Sequence, residues 1–232
     1  MKLKIEHPWN LSPREAKILQ EELSEKVSLK PTFNSFEEIE SIAGCDVSFN
    51  DQRVIAAGVI MSLAGLQLID RVIIIREEEI PPPYIPGYLS FREGPILVQL
   101  LQEFKLQPDV ILFDGQGIAH PRRMGIAAHM GILFDVATIG CAKNLLYGEY
   151  ENPLLERGRR SPLKDSTTSE IVGMVVRTRD SVKPVFVSPG HKIDMGLSVE
   201  VVLKCTPKYR LPEPLRLAHR LSQIHHSSQN FA

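Results

Sequence analysis

The chain of 232 residues has only three cysteines, and their positions exclude two common classes of small protein. Cys45, Cys141 and Cys205 are odd in number and far apart, which fits neither a disulfide framework nor a zinc site. Cys45 and Cys141 stand among apolar residues. We therefore expect them to be buried, reduced thiols and not catalytic nucleophiles.

Long hydrophobic runs are also missing. No apolar stretch approaches the roughly 20 residues that a membrane-spanning helix requires. The first ten residues, MKLKIEHPWN, contain neither an apolar signal core nor a small-residue cleavage site. These absences predict a cytoplasmic protein without a membrane partner, and no motif indicates an obligate protein partner.

Neither sign of charge is in clear excess, because the chain contains 27 basic and 28 acidic residues. The formal net charge of -1 therefore produces no global field that would indicate a nucleic-acid partner, although a local basic patch can still bind phosphates. One stretch offers such a patch, with a solvated loop as the alternative. Its residues are Arg157, Arg159, Arg160 and Lys164.

The order of the predicted elements indicates an α/β fold with one mixed sheet flanked by helices. A helix begins at Ser12, which is followed by a proline and a capping-box glutamate. Three strands with short links then predict antiparallel hairpins, and the later alternation of helices and strands predicts parallel crossovers with a parallel edge. The predicted strands are 39–49, 53–63, 66–76, 110–113, 137–142, 171–177 and 185–187, and the later helices are 92–104, 124–134 and 194–204.

The chain shows no linker that would divide it into domains. We therefore expect a single domain over residues 1–220. The residues that follow, 221–232, are rich in serine, glutamine and asparagine, which predicts a flexible tail.

The segment 110–125 carries several residues that could bind phosphate. Its apolar strand ends at Asp114, and Gly115 after it would let a ligand approach the main chain. Arg122 could bind phosphate with a fork of donors. His120 could order a phosphate or carry a proton near neutral pH, or could be a surface histidine before a proline. A plain strand-to-loop turn explains the same segment equally well, since Asp-Gly is common in turns.

Three carboxylates could meet at one edge of the sheet. Asp46 lies in the first strand among apolar residues, where an unpaired charge is costly. If that strand lies beside the one ending at Asp114, both carboxylates reach the same edge, and Glu93 at the start of a helix could join them. Such oxygen ligands suit Mg²⁺ or Mn²⁺. Each acid has an alternative explanation. Asp46 could form a buried ion pair, Asp114 could be a turn residue, and Glu93 could be an acidic residue in the first turn of a helix.

A lysine could complete a phosphoryl-transfer site. Lys143 follows the strand 137–142 and could stabilise negative charge that develops at phosphorus. Divalent ions held by carboxylates hydrolyse phosphodiesters by activating water and polarising the phosphate. The alternative is a solvated lysine at a strand end.

Taken together, these motifs resemble the endonuclease V family of deaminated-base repair nucleases, which is part of the ribonuclease H-like superfamily. The matching segments run in the family's order: 44–49, 83–87, 91–95, 114–122, 140–143, 188–191 and 211–219. The resemblance implies a ribonuclease H-like fold. It also implies DNA repair by hydrolysis of the second phosphodiester bond 3′ to hypoxanthine, with Mg²⁺ or with Mn²⁺ as a substitute.

The resemblance also assigns roles to residues by position. Asp46, Glu93 and Asp114 would be metal ligands, Lys143 would stabilise charge, and His219 would lie near the site; these five are the predicted catalytic residues. Cysteines replace the small apolar residues that we expect at two motif positions, and neither replacement touches a predicted ligand.

The proline-framed segment Pro83-Tyr84-Ile85-Pro86 would be the wedge that enters the duplex beside the lesion. Prolines stiffen the loop and lower the entropy lost on binding, and its two apolar side chains could fill the gap left by a displaced base. The alternative is a rigid connector with Tyr84 packed inward. The other predicted DNA contacts are Gly87 and Gly115 as pocket walls, with Arg92, His120 and Arg122 at phosphates.

Two other functions stay open at this point. Inosine-containing RNA could be the preferred substrate, because a contact to the 2′-hydroxyl is not legible in one sequence. A nucleic-acid-binding module without catalysis is the other alternative, and the three acids with Lys143 argue against it because carboxylates near phosphate weaken binding.

Overall fold

The computed structural model describes residues 1–50, 53–77 and 83–224. Residues 225–232, which are most of the predicted tail, lie outside the described residues. The helices are α1 (Pro13–Ser24), α2 (Leu89–Glu103), α3 (Ile126–Phe134), α4 (Met195–Lys204) and α5 (Glu213–Ile224), with a short 3-10 helix at Phe36–Glu38. The strands are β1 (Ser41–Asn50), β2 (Arg53–Ser62), β3 (Leu68–Glu77), β4 (Val110–Phe113), β5 (Ala137–Ala142), β6 (Glu149–Tyr150), β7 (Arg160–Lys164), β8 (Ile171–Val176) and β9 (Val185–His191).

The strands form one mixed sheet in the order β3-β2-β1-β4-β5-β9-β8-β7-β6. The predicted antiparallel arrangement of the first three strands is confirmed, as is the position of β1 beside β4, with which it pairs in parallel. The predicted parallel edge is wrong. The parallel strands β1, β4 and β5 lie in the middle, and β9 runs antiparallel to β5. A parallel neighbour would need a crossover, but the chain between β5 and β9 forms hairpin strands instead.

Helices cover both faces of the central strands, and this explains why β4 is buried along its whole length. On one face, Ile42, Leu112 and Val187 pack in a core that includes residues of α4 and α5. On the other face, Ile111 and Phe113 pack in a core with residues of α2 and α3. Alternate residues of the central strands therefore enter different cores, and the strand ends are left to form the site.

The sequence pattern missed the 3-10 helix, the two-residue strand β6, the strand β7 and the helix α5. The strand β7 begins inside the basic stretch of the sequence. The helix α5 was missed although Pro214 in its first turn and the apolar spacing of Leu215, Ala218 and Leu221 are typical of a helix. Because α5 extends to Ile224, the first four residues of the predicted tail are helical, and the helical part of the chain extends past the predicted domain end at residue 220.

Close contact between α5 and the sheet depends on Gly44 in β1. A β-carbon added to Gly44 would lie 2.4 Å from the carbonyl carbon of Pro214, which is inside van der Waals contact. The absent side chain lets α5 lie directly on β1. As a result, the later residues of α5 reach Asp46, two positions along the strand.

All three cysteines are buried, as expected for Cys45 and Cys141. Burial raises the pKa of each thiol, and for Cys205 the value is about 12. Thiols of this kind stay protonated at neutral pH, so none of them is a ready nucleophile. A separate finding concerns membranes: among the described residues, no helix combines the length and the apolar character needed to span a bilayer.

Candidate active site

The parallel pairing of β1 with β4 brings two carboxylates to one edge of the sheet. Cys45 pairs with Phe113, so Asp46 and Asp114 are the next residues along neighbouring strands. Glu93 approaches from α2, where it is the fifth residue; the helix begins at Leu89, and the predicted first-turn position of Glu93 is wrong. These three acids line one cavity of about 320 Å³ together with Lys143 and His219. All five predicted catalytic residues therefore meet in one place.

Two residues of α5 hold Asp46. The hydroxyl of Ser222 donates to Asp46 Oδ2 at 2.6 Å, and His219 Nδ1 lies 3.2 Å from the same oxygen. Burial raises the pKa of Asp46; the contacts with Ser222 and His219 oppose this rise, and the charge of Asp114 adds to it. Sequence reasoning missed Ser222, which stands one helical turn after His219 in the segment predicted as tail.

Glu93 has a strongly perturbed carboxyl group. Burial raises its pKa to about 8, with further upward contributions from Asp46 and Asp114 and a downward one from Arg92. The Arg92 guanidinium itself lies over the ring of Phe49, with its central carbon 4.2 Å from the ring centroid. A divalent cation would favour the ionised form of Glu93, and three carboxylates are hard oxygen donors. The residues present therefore fit a divalent metal.

Protein groups already contact two of these carboxylates, Asp46 and Asp114. Asp46 is held by Ser222 and His219. Lys143 Nζ forms an ion pair with Asp114 Oδ2, and the main-chain carbonyl of Lys143 accepts a bond from Arg210 at 2.7 Å. Within the described parts of the chain, no three acidic, histidine or cysteine side chains already surround a single metal position. Metal binding by all three acids would therefore require the side chains to shift, including the contact of Lys143 with Asp114.

The raised pKa of Glu93 predicts an unusual pH dependence of stability for the metal-free protein. The native state keeps a proton on Glu93 up to about pH 8, whereas the unfolded chain loses it near 4.5. The native state therefore binds more protons in this window, and its free energy of unfolding should fall as pH rises from about 5 to about 8. Asp46 acts in the same direction. Glu93→Gln should flatten the fall, because the amide does not titrate.

Urea unfolding in the presence of a chelator, repeated across this pH window, measures the effect. Comparison of wild type with Glu93→Gln separates Glu93 from every other titrating group. Equal slopes in the two proteins would contradict the assignment.

A second, larger cavity of about 520 Å³ adjoins the first and shares Asp114, Ile126 and Lys143 with it. Its wall includes Gly115, where a β-carbon would lie 2.6 Å from Ile126 Cγ2. The remaining lining residues include Tyr84, Pro86, Gly87, Leu89, Met124, Asn144, Leu145 and Leu146.

The proline-framed loop presents its apolar side chains to the outside. Tyr84 is 45% exposed and Ile85 is 50% exposed. Tyr84 is therefore not packed inward, as the connector alternative had assumed. The loop ends at Gly87, whose φ of 85° is a left-handed conformation that glycine adopts without strain.

His120 and Arg122 form hydrogen bonds with Gly87 at the end of this loop. The amide of Arg122 donates to His120 Nδ1 at 3.1 Å, so Nε2 carries the proton and donates to the Gly87 carbonyl at 3.0 Å. Burial, with the neighbouring charge of Arg122, lowers the pKa of His120 to about 4. His120 is buried, so the alternative of a surface histidine is wrong, and its lowered pKa opposes a role as a proton carrier near neutral pH. Arg122 donates to the same carbonyl at 2.8 Å.

The predicted basic patch spans a loop and a strand. Arg157 donates to the carbonyls of Leu203 and Thr206 near the end of α4, at 2.6 and 3.4 Å. Arg160 and Lys164 stand at opposite ends of β7, so the alternative of a solvated loop is wrong for these two residues.

The Endonuclease V family model matches residues 21–220. Endonuclease V of Methanothrix thermoacetophila is 46% identical over 222 residues, which are 96% of each chain. The crystal structure of Endonuclease V from Streptomyces avermitilis is 36% identical with a TM-score of 0.86, and the match covers 98% of this chain and 99% of that one. Ciona intestinalis Endonuclease V, in complex with a 24mer DNA containing an inosine followed by a ribo-adenosine, is 29% identical with a TM-score of 0.80, over 93% and 98% of the two chains.

Proposed function

This chain belongs to the endonuclease V family and is a nuclease, and we propose that it cleaves DNA at the second phosphodiester bond 3′ to deoxyinosine, with Mg²⁺ as its cofactor and Mn²⁺ as a substitute. The observation that carries the proposal is the pair of adjoining cavities. One is lined by Asp46, Glu93 and Asp114, and the other opens beside Tyr84. By making this cut, the protein would initiate the repair of DNA at deaminated bases.

Two observations support an inosine-containing substrate. The Ciona intestinalis relative is described in complex with DNA that contains inosine. The larger cavity has a volume typical of sites that hold small molecules, and its wall carries main-chain groups of Gly87 and Gly115 close to the surface. A displaced hypoxanthine would enter this cavity while Tyr84 and Ile85 fill the gap in the duplex. Unstacking costs about a few kcal/mol and is easier at a damaged or mismatched pair.

The residues of the smaller cavity divide the chemical work. Asp46, Glu93 and Asp114 would hold the metal, which when bound polarises the phosphate and lowers the pKa of a water. Lys143, whose ammonium already lies against Asp114, would pair with a phosphate oxygen and stabilise its growing charge. His219 and Ser222 orient Asp46 through its Oδ2 oxygen.

The predicted phosphate contacts divide into two kinds. Arg92 lies beside Glu93 and over Phe49, at the margin of the metal-binding cavity, and we propose that it contacts the strand near the cleaved bond. His120 and Arg122 act differently. Their donors are turned to Gly87, so we propose that they contribute to DNA binding by holding the loop.

A nicking assay tests the proposal. We expect Mg²⁺-dependent nicking of a duplex with one deoxyinosine, and no comparable nicking of the same duplex with adenine. A matched strand with inosine in RNA tests the alternative substrate, and a higher rate on RNA would favour it. Lesion binding without cleavage under any divalent ion would instead favour a module without catalysis.

A further inference from the structure

The carbonyl of Gly87, at the end of the proline-framed loop, receives hydrogen bonds from three side chains. His120 and Arg122 follow β4, and the third donor is Gln20 of α1, whose Nε2 lies 3.1 Å from the oxygen. Gln20 is fully buried. It also donates to the carbonyl of Met124 at 3.2 Å and accepts a bond from Arg122 Nε at 2.7 Å. Every polar atom of its side chain amide is therefore engaged.

A second contact ties α1 to Tyr88, the residue that follows the loop. The hydroxyl of Tyr88 donates to the carbonyl of Pro13 at 3.3 Å, and the Arg122 guanidinium lies 4.5 Å from the centroid of the Tyr88 ring. The end of the loop and the residue after it are thus both joined to a helix that contributes no residue to either cavity. The family match begins at residue 21, so Gln20 lies just outside it.

We propose that Gln20 is a positioning residue for lesion recognition, which acts through Arg122 and the Gly87 carbonyl on the loop that carries Tyr84 and Ile85. The inference rests on the proposed function of this loop. A buried amide with two donated bonds and one accepted bond fixes the backbone at Gly87, because leaving any of these partners unpaired is costly. A fixed loop loses less entropy when it enters a duplex. Without Gln20, the loop would sample more conformations and bind the lesion more weakly.

Two substitutions at this position separate hydrogen bonding from packing. Gln20→Met keeps the length of the side chain and removes all three hydrogen bonds. Gln20→Glu keeps the size and an acceptor for Arg122 but removes the amide donor to the two carbonyls. Leu23→Ala is the matched control. Leu23 is a buried residue of the same helix that packs against Met124, Ala128 and Ile132 and lies outside the loop contacts. Leu23→Ala weakens the packing of α1 without removing any atom that takes part in the hydrogen bonds of Gln20.

Steady-state nicking of three substrates tests the inference: an inosine duplex, the same strand without its complement, and the matched adenine duplex. Both Gln20 variants should raise KM for the inosine duplex by about tenfold, the size expected when a buried hydrogen-bonded group is lost, with kcat nearly unchanged. KM for the single strand should change little, because no duplex has to be opened. Leu23→Ala should lower the melting temperature without raising KM for the duplex.

The outcomes distinguish the inference from its premise. Failure of the wild-type protein to nick the inosine duplex would reject the proposed function. If the wild type nicks it and both Gln20 variants keep its KM, the positioning role is wrong. Equal losses on duplex and single strand, or a loss reproduced by Leu23→Ala, would likewise show that Gln20 only packs α1 against the domain.

Discussion

Asp114→Asn is expected to lower Mg²⁺-dependent nicking of an inosine duplex by about a thousandfold, because the loss of a metal ligand removes several kcal/mol of transition-state stabilisation. Asp114 stands at the junction of the two cavities and contacts Lys143. An amide of the same shape keeps the packing but lacks the charge that attracts both a metal and a lysine. Asp46→Asn should have a similar effect, since Asp46 lies beside it on the next strand.

Two measurements are needed for this prediction, namely the single-turnover nicking rate and the binding of Mn²⁺ to the metal-free protein. The rate and the affinity should fall together in the Asp114 and Asp46 variants. Glu103→Gln is the matched control, because it removes one negative charge from the exposed end of α2, away from the cavity. Wild-type metal affinity in both aspartate variants would reject these residues as ligands.

Tyr84→Ala is expected to weaken recognition of the lesion by about ten- to a hundredfold, since stacking of one aromatic ring against a base contributes roughly 1–3 kcal/mol. The side chain is half exposed and lines the larger cavity, so its removal should cost the folded protein little. Metal binding should stay unchanged, because Tyr84 is not among the residues that line the metal-binding cavity.

Single-turnover nicking over a range of enzyme concentrations separates lesion affinity from the maximal rate. Tyr84→Phe, which keeps the ring, should retain most of the affinity, whereas Tyr84→Ala should lose both affinity and preference for inosine over adenine. A Tyr84→Ala protein with wild-type affinity and preference would show that the loop is only a connector.

The central sheet could be predicted because its signals are local. Short links between β1, β2 and β3 permit only antiparallel pairing, and the apolar run of β4 requires burial on both faces. The direction of β9 could not be predicted from local signals. Its pairing with β5 is decided by the path of some forty intervening residues, a long-range property without a periodic signature.

The residues of the site also fall into two groups, those with a local sequence signal and those whose role depends on long-range contacts. Asp46 and Asp114 could be located from sequence because a charge within or directly after an apolar strand is conspicuous, and motif order supplied Glu93, Lys143 and His219. Ser222 and Gln20 are an ordinary serine and an ordinary glutamine in sequence, and only tertiary contacts give them partners. The surface-histidine alternative for His120 was wrong for the same reason, because its ring is buried against Gly87, which is 33 residues away in sequence.

The position of the nick is the most direct test of the proposed reaction. An end-labelled duplex with one deoxyinosine, cleaved with Mg²⁺ and sized against a ladder of the same strand, reports which bond is hydrolysed. We expect a single product from cleavage at the second phosphodiester bond 3′ to the inosine. This product should be absent when a chelator is present and absent from the adenine duplex. Cleavage at scattered bonds, equal cleavage of the adenine duplex, or no cleavage with Mg²⁺ or Mn²⁺ would contradict it.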